Sequence, residues 1–347
     1  MLKDILKARA IPPLKSREEM LEILQHEEYG YMPPEPTRLT WGINENLHRV
    51  FCAGKAELHR VNLTSYFGEK HFTFPCYAAL PTDGKKHPFF IMINFRPDVP
   101  DLYLPVEEIM DSGYAVLSFC HNDVTKDNGD FTDGLAGVLF ENGERGDTDP
   151  GKIAMWAWAA HRVMDFACTL DCLDHSCACV CGHSRLGKTA MLAAATDTRF
   201  AFAHSNDSGC SGAAITRDKV GEHVKDICKN FPFWFCKNYH KYAHHESEMP
   251  FDQHFLAAAI APRRLYVASA VEDTWADPES EMLTCVAASE AYEKLGMPGF
   301  LCEDRLPGVG DAYHDGSIGY HLRDGKHYFS REDWRLLIEF INKKRAL

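Results

Sequence analysis

The pattern of apolar and polar positions changes period twice along the 347-residue chain. Ser16 followed by Glu19 has the spacing of a capping box, and Met20, Leu21, Ile23 and Leu24 behind it share one helical face. An amphipathic helix ending near Gly30 is predicted there. Over residues 50–80 apolar and polar positions alternate, with Phe72, Phe74, Cys76 and Ala78 on one side. That period of two predicts antiparallel strands. Short, mainly apolar runs then take over at 89–93, 115–119, 178–181, 201–204 and 265–270, interleaved with helical stretches such as 153–170, 186–196 and 331–342. Strands with no polar face must be covered on both sides, so the pattern predicts a three-layer α/β sandwich around a mostly parallel sheet. No repeat, low-complexity tract or linker interrupts it, and one domain over 1–347 is expected. Its N-terminal helix and strands would end near residue 85, with the site-bearing core over about 86–347.

Charge removes several partners. Thirty-seven basic against fifty acidic side chains leave a formal charge of −13, which repels phosphate backbones and anionic lipid, so neither nucleic acid nor membrane is expected. Residues 1–14 hold no continuous apolar stretch of the signal-peptide kind, and no window reaches the length of a membrane span. Thirteen scattered cysteines lack the spacing of a disulfide framework and favour a reducing compartment; a cytoplasmic protein is expected, or a secreted one if a leader has been removed. Cys177, Cys179 and Cys181 alternate as a strand does, which suits small buried side chains better than a tetrahedral metal site. No metal and no cofactor is expected.

The chemistry concentrates where the run ending at Cys181 meets Gly182-His183-Ser184-Arg185-Leu186-Gly187-Lys188 and then a helix-forming stretch. A serine between glycines at a strand-to-helix turn is the nucleophile elbow of α/β-hydrolases. Here the second glycine comes one residue later than in GxSxG, so two other readings stay open. Ser184 also suits a helix N-cap, and Gly182 with Gly187-Lys188-Thr189 has the GxxxxGK[ST] spacing of a phosphate loop. Downstream, an acid and a histidine follow in hydrolase order. Glu272-Asp273-Thr274-Trp275-Ala276-Asp277 leaves the 265–270 strand, and Gly325-Lys326-His327 precedes the last helix. His327 is the candidate base, with His321 and His314 as competitors and His183 expected to pack under the elbow. Two loop-rich insertions, 122–150 and 219–250, are candidate walls of the site.

The segments Gly182 to Lys188, Ser205-Asn206-Asp207-Ser208-Gly209-Cys210-Ser211-Gly212, Gly221-Glu222, Trp275-Ala276-Asp277-Pro278 and Gly325-Lys326-His327 together resemble the glucuronoyl esterases, a carbohydrate esterase family, and their acetylxylan-esterase-like bacterial relatives. The resemblance implies a serine carboxylic-ester hydrolase that cleaves glucuronic acid esters of the lignin–xylan type through an acyl-enzyme, its partner a small-molecule or oligosaccharide ester. It implies Ser184 as nucleophile, His327 as base, Arg185 as an oxyanion-stabilising side chain, and Lys188, Glu222 and Trp275 as contacts to the sugar. The plainer alternatives are solvated first-turn residues for Arg185 and Lys188, a cap for Glu222 and a core position for Trp275. For the acid, Asp207 matches the family position, where many members carry Glu. Asp273 follows the strand that the general hydrolase pattern uses. Asp is one methylene shorter than Glu, so Asp273 is the expected partner of His327 and Asp207 a supporting carboxylate. Asp277 is read as the cap of the helix starting at Pro278. A sugar deacetylase and a catalytically dead carbohydrate-binding relative are the competing functions.

Overall fold

The computed structural model describes residues 1–345. Ten strands form one sheet: β1 (Arg38–Phe51), β2 (Ala56–Phe67), β3 (Lys70–Pro81), β4 (His87–Asn94), β5 (Ala115–Cys120), β6 (Leu173–His183), β7 (Phe202–Asn206), β8 (Arg264–Ala270), β9 (Ala312–Tyr313) and β10 (Ile318–Arg323). Their order is β1-β2-β3-β5-β4-β6-β7-β8-β10-β9. The first three strands pair antiparallel and join the rest through an antiparallel β3–β5 contact. From β5 to β10 every neighbouring pair is parallel.

The apolar runs explain why both faces are covered. In β4, Phe89, Ile91 and Ile93 point into a core shared with Trp156, Met191 and Met282, from the helices Lys152–Ala167, Arg185–Thr196 and Pro278–Glu293. Their neighbours Phe90 and Met92 point the other way, against Ile109, Trp334 and Leu337 from the helices Val106–Asp111 and Arg331–Arg345. Cys179 and Cys181 fill that second layer as buried thiols, and Cys177 beside them is buried too. The capping box forms: Ser16 accepts from Glu19 N, the helix Arg17–Leu24 follows, and its continuation stops at Gly30, whose φ is 82°.

Two strands depart from the apolar reading. Half of β1 is polar, as suits a strand at the sheet edge. In β10, Gly319, His321 and Arg323 interrupt an otherwise largely apolar strand that is buried throughout, and the two polar side chains are satisfied internally. The acceptor is Asp333 of the last helix, which receives His321 Nε2 and Arg323 Nε at 2.9 Å each and Ser330 N at 2.6 Å. Burial pushes the Asp333 carboxyl up, but the His321 hydrogen bond and the charges of His321 and Arg323 outweigh it and hold it at about 2.

A carboxyl held below its ordinary value of 3.8 contributes stability that is complete above that value and is lost as the pH falls from there toward about 2. Asp333→Ala leaves Arg323 and His321 buried without their partner, and urea unfolding at neutral pH should show a loss of about 3–5 kcal/mol. The gap to wild type should close as the pH falls toward about 2. An unchanged urea midpoint at neutral pH would show that this network carries no stability.

Candidate active site

The helix Arg185–Thr196 begins immediately after β6, and Ser184 at the junction takes φ 57°, ψ −128°. Such a backbone costs about 1–3 kcal/mol and persists only where its surroundings impose it. Gly182 makes it possible, because a Cβ there would lie 2.1 Å from the Leu186 carbonyl oxygen. Gly187 lets the first turn approach Ser208, whose Cβ would be 3.0 Å from an added Cβ. The second close approach thus falls at 187, which accounts for the extra residue in GxSxxG. Ser184 occupies the N-cap position, yet its side chain makes no capping hydrogen bond, so capping does not explain it. The phosphate-loop reading is overturned, since residues 185–188 are helix and not an open loop.

At the carboxyl end of β8 the chain turns through Asp273. Asp273 Oδ2 lies 2.6 Å from Nδ1 of His327, which is carried by the loop before the last helix. Asp207, after β7, spends its carboxylate differently. It accepts Ala270 N at 2.8 Å, and Tyr328 N and Arg323 Nη2 at 3.3 Å each, bracing the His327 loop against β8. Burial, followed by the charges of Glu281, Asp333 and Asp273, pushes its carboxyl up while Arg323 opposes. Polar atoms of Asp207, Asp273 and His327 lie within 4.8 Å of one another, but three N–H donors already occupy Asp207 as a would-be ligand. Asp277 caps its helix by accepting Ser280 N, with Pro278 next.

The competing histidines sit elsewhere. His321 is fully buried between Tyr266 Oη and Asp333, and His314 bonds the same tyrosine. His183 lies under the elbow, its Nδ1 2.6 Å from Asn206 Oδ1 and its ring centroid 4.4 Å from that of His327. Burial, with the neighbouring His327, pushes it down to about 3, so it is neutral at physiological pH.

Ser184, Arg185, Lys188, Asp207, Glu222, Asp273, Trp275 and His327 all line one open cleft of about 360 Å³. Lys188 is buried at its floor, donating to the carbonyls of Ser208 (2.6 Å) and Cys210, with its Nζ 3.5 Å from Glu222 Oε2. It is therefore not a solvated surface lysine. Trp275 is 54% exposed at the rim rather than in the core. Arg185 is 27% exposed; it donates to Asp127, and its guanidinium carbon lies 4.7 Å from the Trp234 ring centroid. Asp127, Phe231 and Trp234 are site residues that motif reading did not single out. The only signal was that the two insertions carrying them are rich in Asp and in aromatics.

The strand order, the elbow and the cleft at the carboxyl ends of the strands define an α/β-hydrolase. A family model described as glucuronyl esterase, fungi, matches residues 63–296, more than half of the chain, and the chain belongs to the glucuronoyl esterase family. It is 40% identical over 241 residues to carbohydrate esterase MZ0003 of an unknown prokaryotic organism, covering 68% of this chain and 55% of that protein. It is 27% identical over 290 residues to a 4-O-methyl-glucuronoyl methylesterase of Podospora anserina, covering 80% and 55%. The chain thus spans about half the length of these two curated relatives. A solved glucuronoyl esterase from Solibacter usitatus superposes with a TM-score of 0.86 at 32% identity, over 94% of this chain and 91% of that one.

Gly182→Ala places a methyl group on the Leu186 carbonyl, so the elbow must shift. Because misplacing a reacting atom by about 1 Å can cost a hundredfold, labelling of Ser184 by a fluorophosphonate should slow by at least about that factor. Circular dichroism should show the fold retained. Labelling at the wild-type rate would mean that Ser184 does not depend on this close approach.

Proposed function

We propose that this protein is a serine esterase that cleaves esters of glucuronic acid. Ser184 Oγ attacks the ester carbonyl, His327 takes its proton, and Asp273 at Nδ1 holds the imidazole in the tautomer that leaves Nε2 to act as base. The developing oxyanion is met by the Arg185 guanidinium and by the backbone N–H following the nucleophile. The alcohol departs with the proton from His327, and the uronate remains on Ser184 as an ester. Water activated by the same histidine then releases the acid. Lys188 and Glu222 would bond the sugar hydroxyls, and Trp275 would offer its face to the ring.

The observation that carries this reading is the convergence of all eight residues on one cleft, with the charged Lys188–Glu222 pair beside Ser184. An acetyl group presents nothing for that pair to bind. The relative named a 4-O-methyl-glucuronoyl methylesterase supports the same substrate class. No helix among the described residues is long and apolar enough to cross a membrane, and thirteen free thiols suit a reducing compartment such as the cytoplasm.

Benzyl glucuronate should be hydrolysed in preference to an aryl acetate, and Glu222→Ala should erode that preference; a clear preference for acetate would favour a deacetylase. Ser184→Ala and His327→Ala should each lower turnover by several orders of magnitude, with the double variant scarcely worse. Asp273→Asn should cost up to about ten-thousandfold by misorienting the base. Were Asp207→Asn the crippling change and Asp273→Asn mild, the acid would have to be reassigned.

A further inference from the structure

We infer that Asp127 is a positioning residue for Arg185, aiming its guanidinium at the reacting carbonyl and tying the two insertions together above the cleft. The inference rests on the esterase reading above. Asp127 lies in the first insertion and is one-eighth exposed, with 12% side-chain accessibility. One carboxylate oxygen accepts Arg185 Nη1, and the other accepts Trp234 Nε1 at 2.7 Å from the second insertion. His121 Nε2 stands 3.6 Å from the first oxygen. The guanidinium is packed among Trp234, Phe231 and Phe95, at 4.7, 5.3 and 5.7 Å from their centroids, and Phe231 stacks on Trp234 at 3.9 Å.

The platform under Asp127 is stiff. Its backbone N–H donates to Asn122 Oδ1 at 2.9 Å, and Lys152 and Trp156 bond Thr125 at 2.7 and 3.0 Å. Burial pushes the Asp127 carboxyl up, but His121 and Arg185 outweigh it and hold it at about 2, so it is ionised wherever the protein is folded near neutrality. A fixed anion beside the oxyanion's donor has two opposite effects. Its charge opposes the negative charge that develops on the substrate, whereas its hydrogen bond removes the rotamer freedom of a long arginine. Asp127→Asn separates them: relief of repulsion would raise turnover, and loss of aim would lower it. Donors must be held within roughly 0.5 Å of their working place, so aim should dominate.

The test measures kcat and KM on benzyl glucuronate for Asp127→Asn, with thermal melts to establish folding. Asp127→Asn should lose about a hundredfold in kcat with KM little changed. In an Arg185→Lys background the same substitution should cost almost nothing further. Arg185→Ala should be partly rescued by added ethylguanidinium, which should also raise its melting temperature, and both effects should vanish in Arg185→Ala/Asp127→Asn. Wild-type turnover in a folded Asp127→Asn protein, or equal rescue with and without Asp127, would overturn the inference. If wild type hydrolyses no glucuronate ester, the esterase reading fails by itself. The ethylguanidinium melting shift then still decides whether Asp127 anchors the cation.

Discussion

The backbone of Ser184 is held where an unconstrained serine would not stay, and the cleft around it depends on that turn. Strain of about 1–3 kcal/mol must be offset by the elements on either side. On one side β6 is hydrogen-bonded between β4 and β7, and Ser184 N itself donates to Asn206 O at 2.8 Å. On the other, Leu186, Met191 and Leu192 are fully buried. Each such side chain contributes about 1.5–3 kcal/mol, so the helix outweighs the strain several times over. Packing thus holds the hydroxyl at the head of the cleft without a capping bond. A helix lying less deeply in the core would let the turn relax into an ordinary N-cap.

Beneath the cleft the problem is one of charge. Asp207, Asp273, Glu281 and Asp333 are all buried, and Arg323 is the cation that reaches both Asp207 and Asp333. Which carboxylates stay ionised is decided by the donors that each one finds. Asp333 has His321 and Arg323 and is held down, whereas Glu281 has Ser269 Oγ and Gly209 N, and burial pushes it to about 7. An acid raised in this way adds stability below its ordinary 4.5 and loses that contribution as the pH rises through about 7. The three acids around the Asp273–His327 pair are thereby engaged by donors other than His327, Arg323 being shared by Asp207 and Asp333, and Asp273 is left facing the imidazole.

The parallel core was legible because its strands are apolar on both faces, and the elbow was legible because its glycines mark close approaches. The strand β10 was not, since His321 and Arg323 look like surface residues until the buried Asp333, ten or more positions away, is placed against them. The helix Leu2–Ala8 was missed for a related reason: only Leu2 and Leu6 are buried, too few for a periodic signal. Of the site, the residues in short motifs could be read, whereas Asp127 and Trp234 could not. They meet Arg185 only because the two insertions fold together, bringing Asp127 and Trp234, 107 positions apart, into hydrogen-bond contact.

The Gly182 to Thr189 segment satisfies two motifs at once, and local geometry decides between them. A phosphate loop works by leaving successive backbone N–H groups pointing at the anion, with its lysine and hydroxyl turned the same way. Here Gly187 N and Lys188 N both donate to Ser184 O, at 2.9 and 3.3 Å. Two of the three N–H donors of Lys188 Nζ go to the carbonyls of Ser208 and Cys210, and the Thr189 hydroxyl bonds Arg185 O at 2.9 Å. Most of the groups that would cradle a phosphate are spent inside the protein, and they are spent because the helix begins at Arg185. Starting the helix that early leaves one side chain, Ser184, at the apex of the turn. The same eight residues that could have bound a nucleotide present a nucleophile instead.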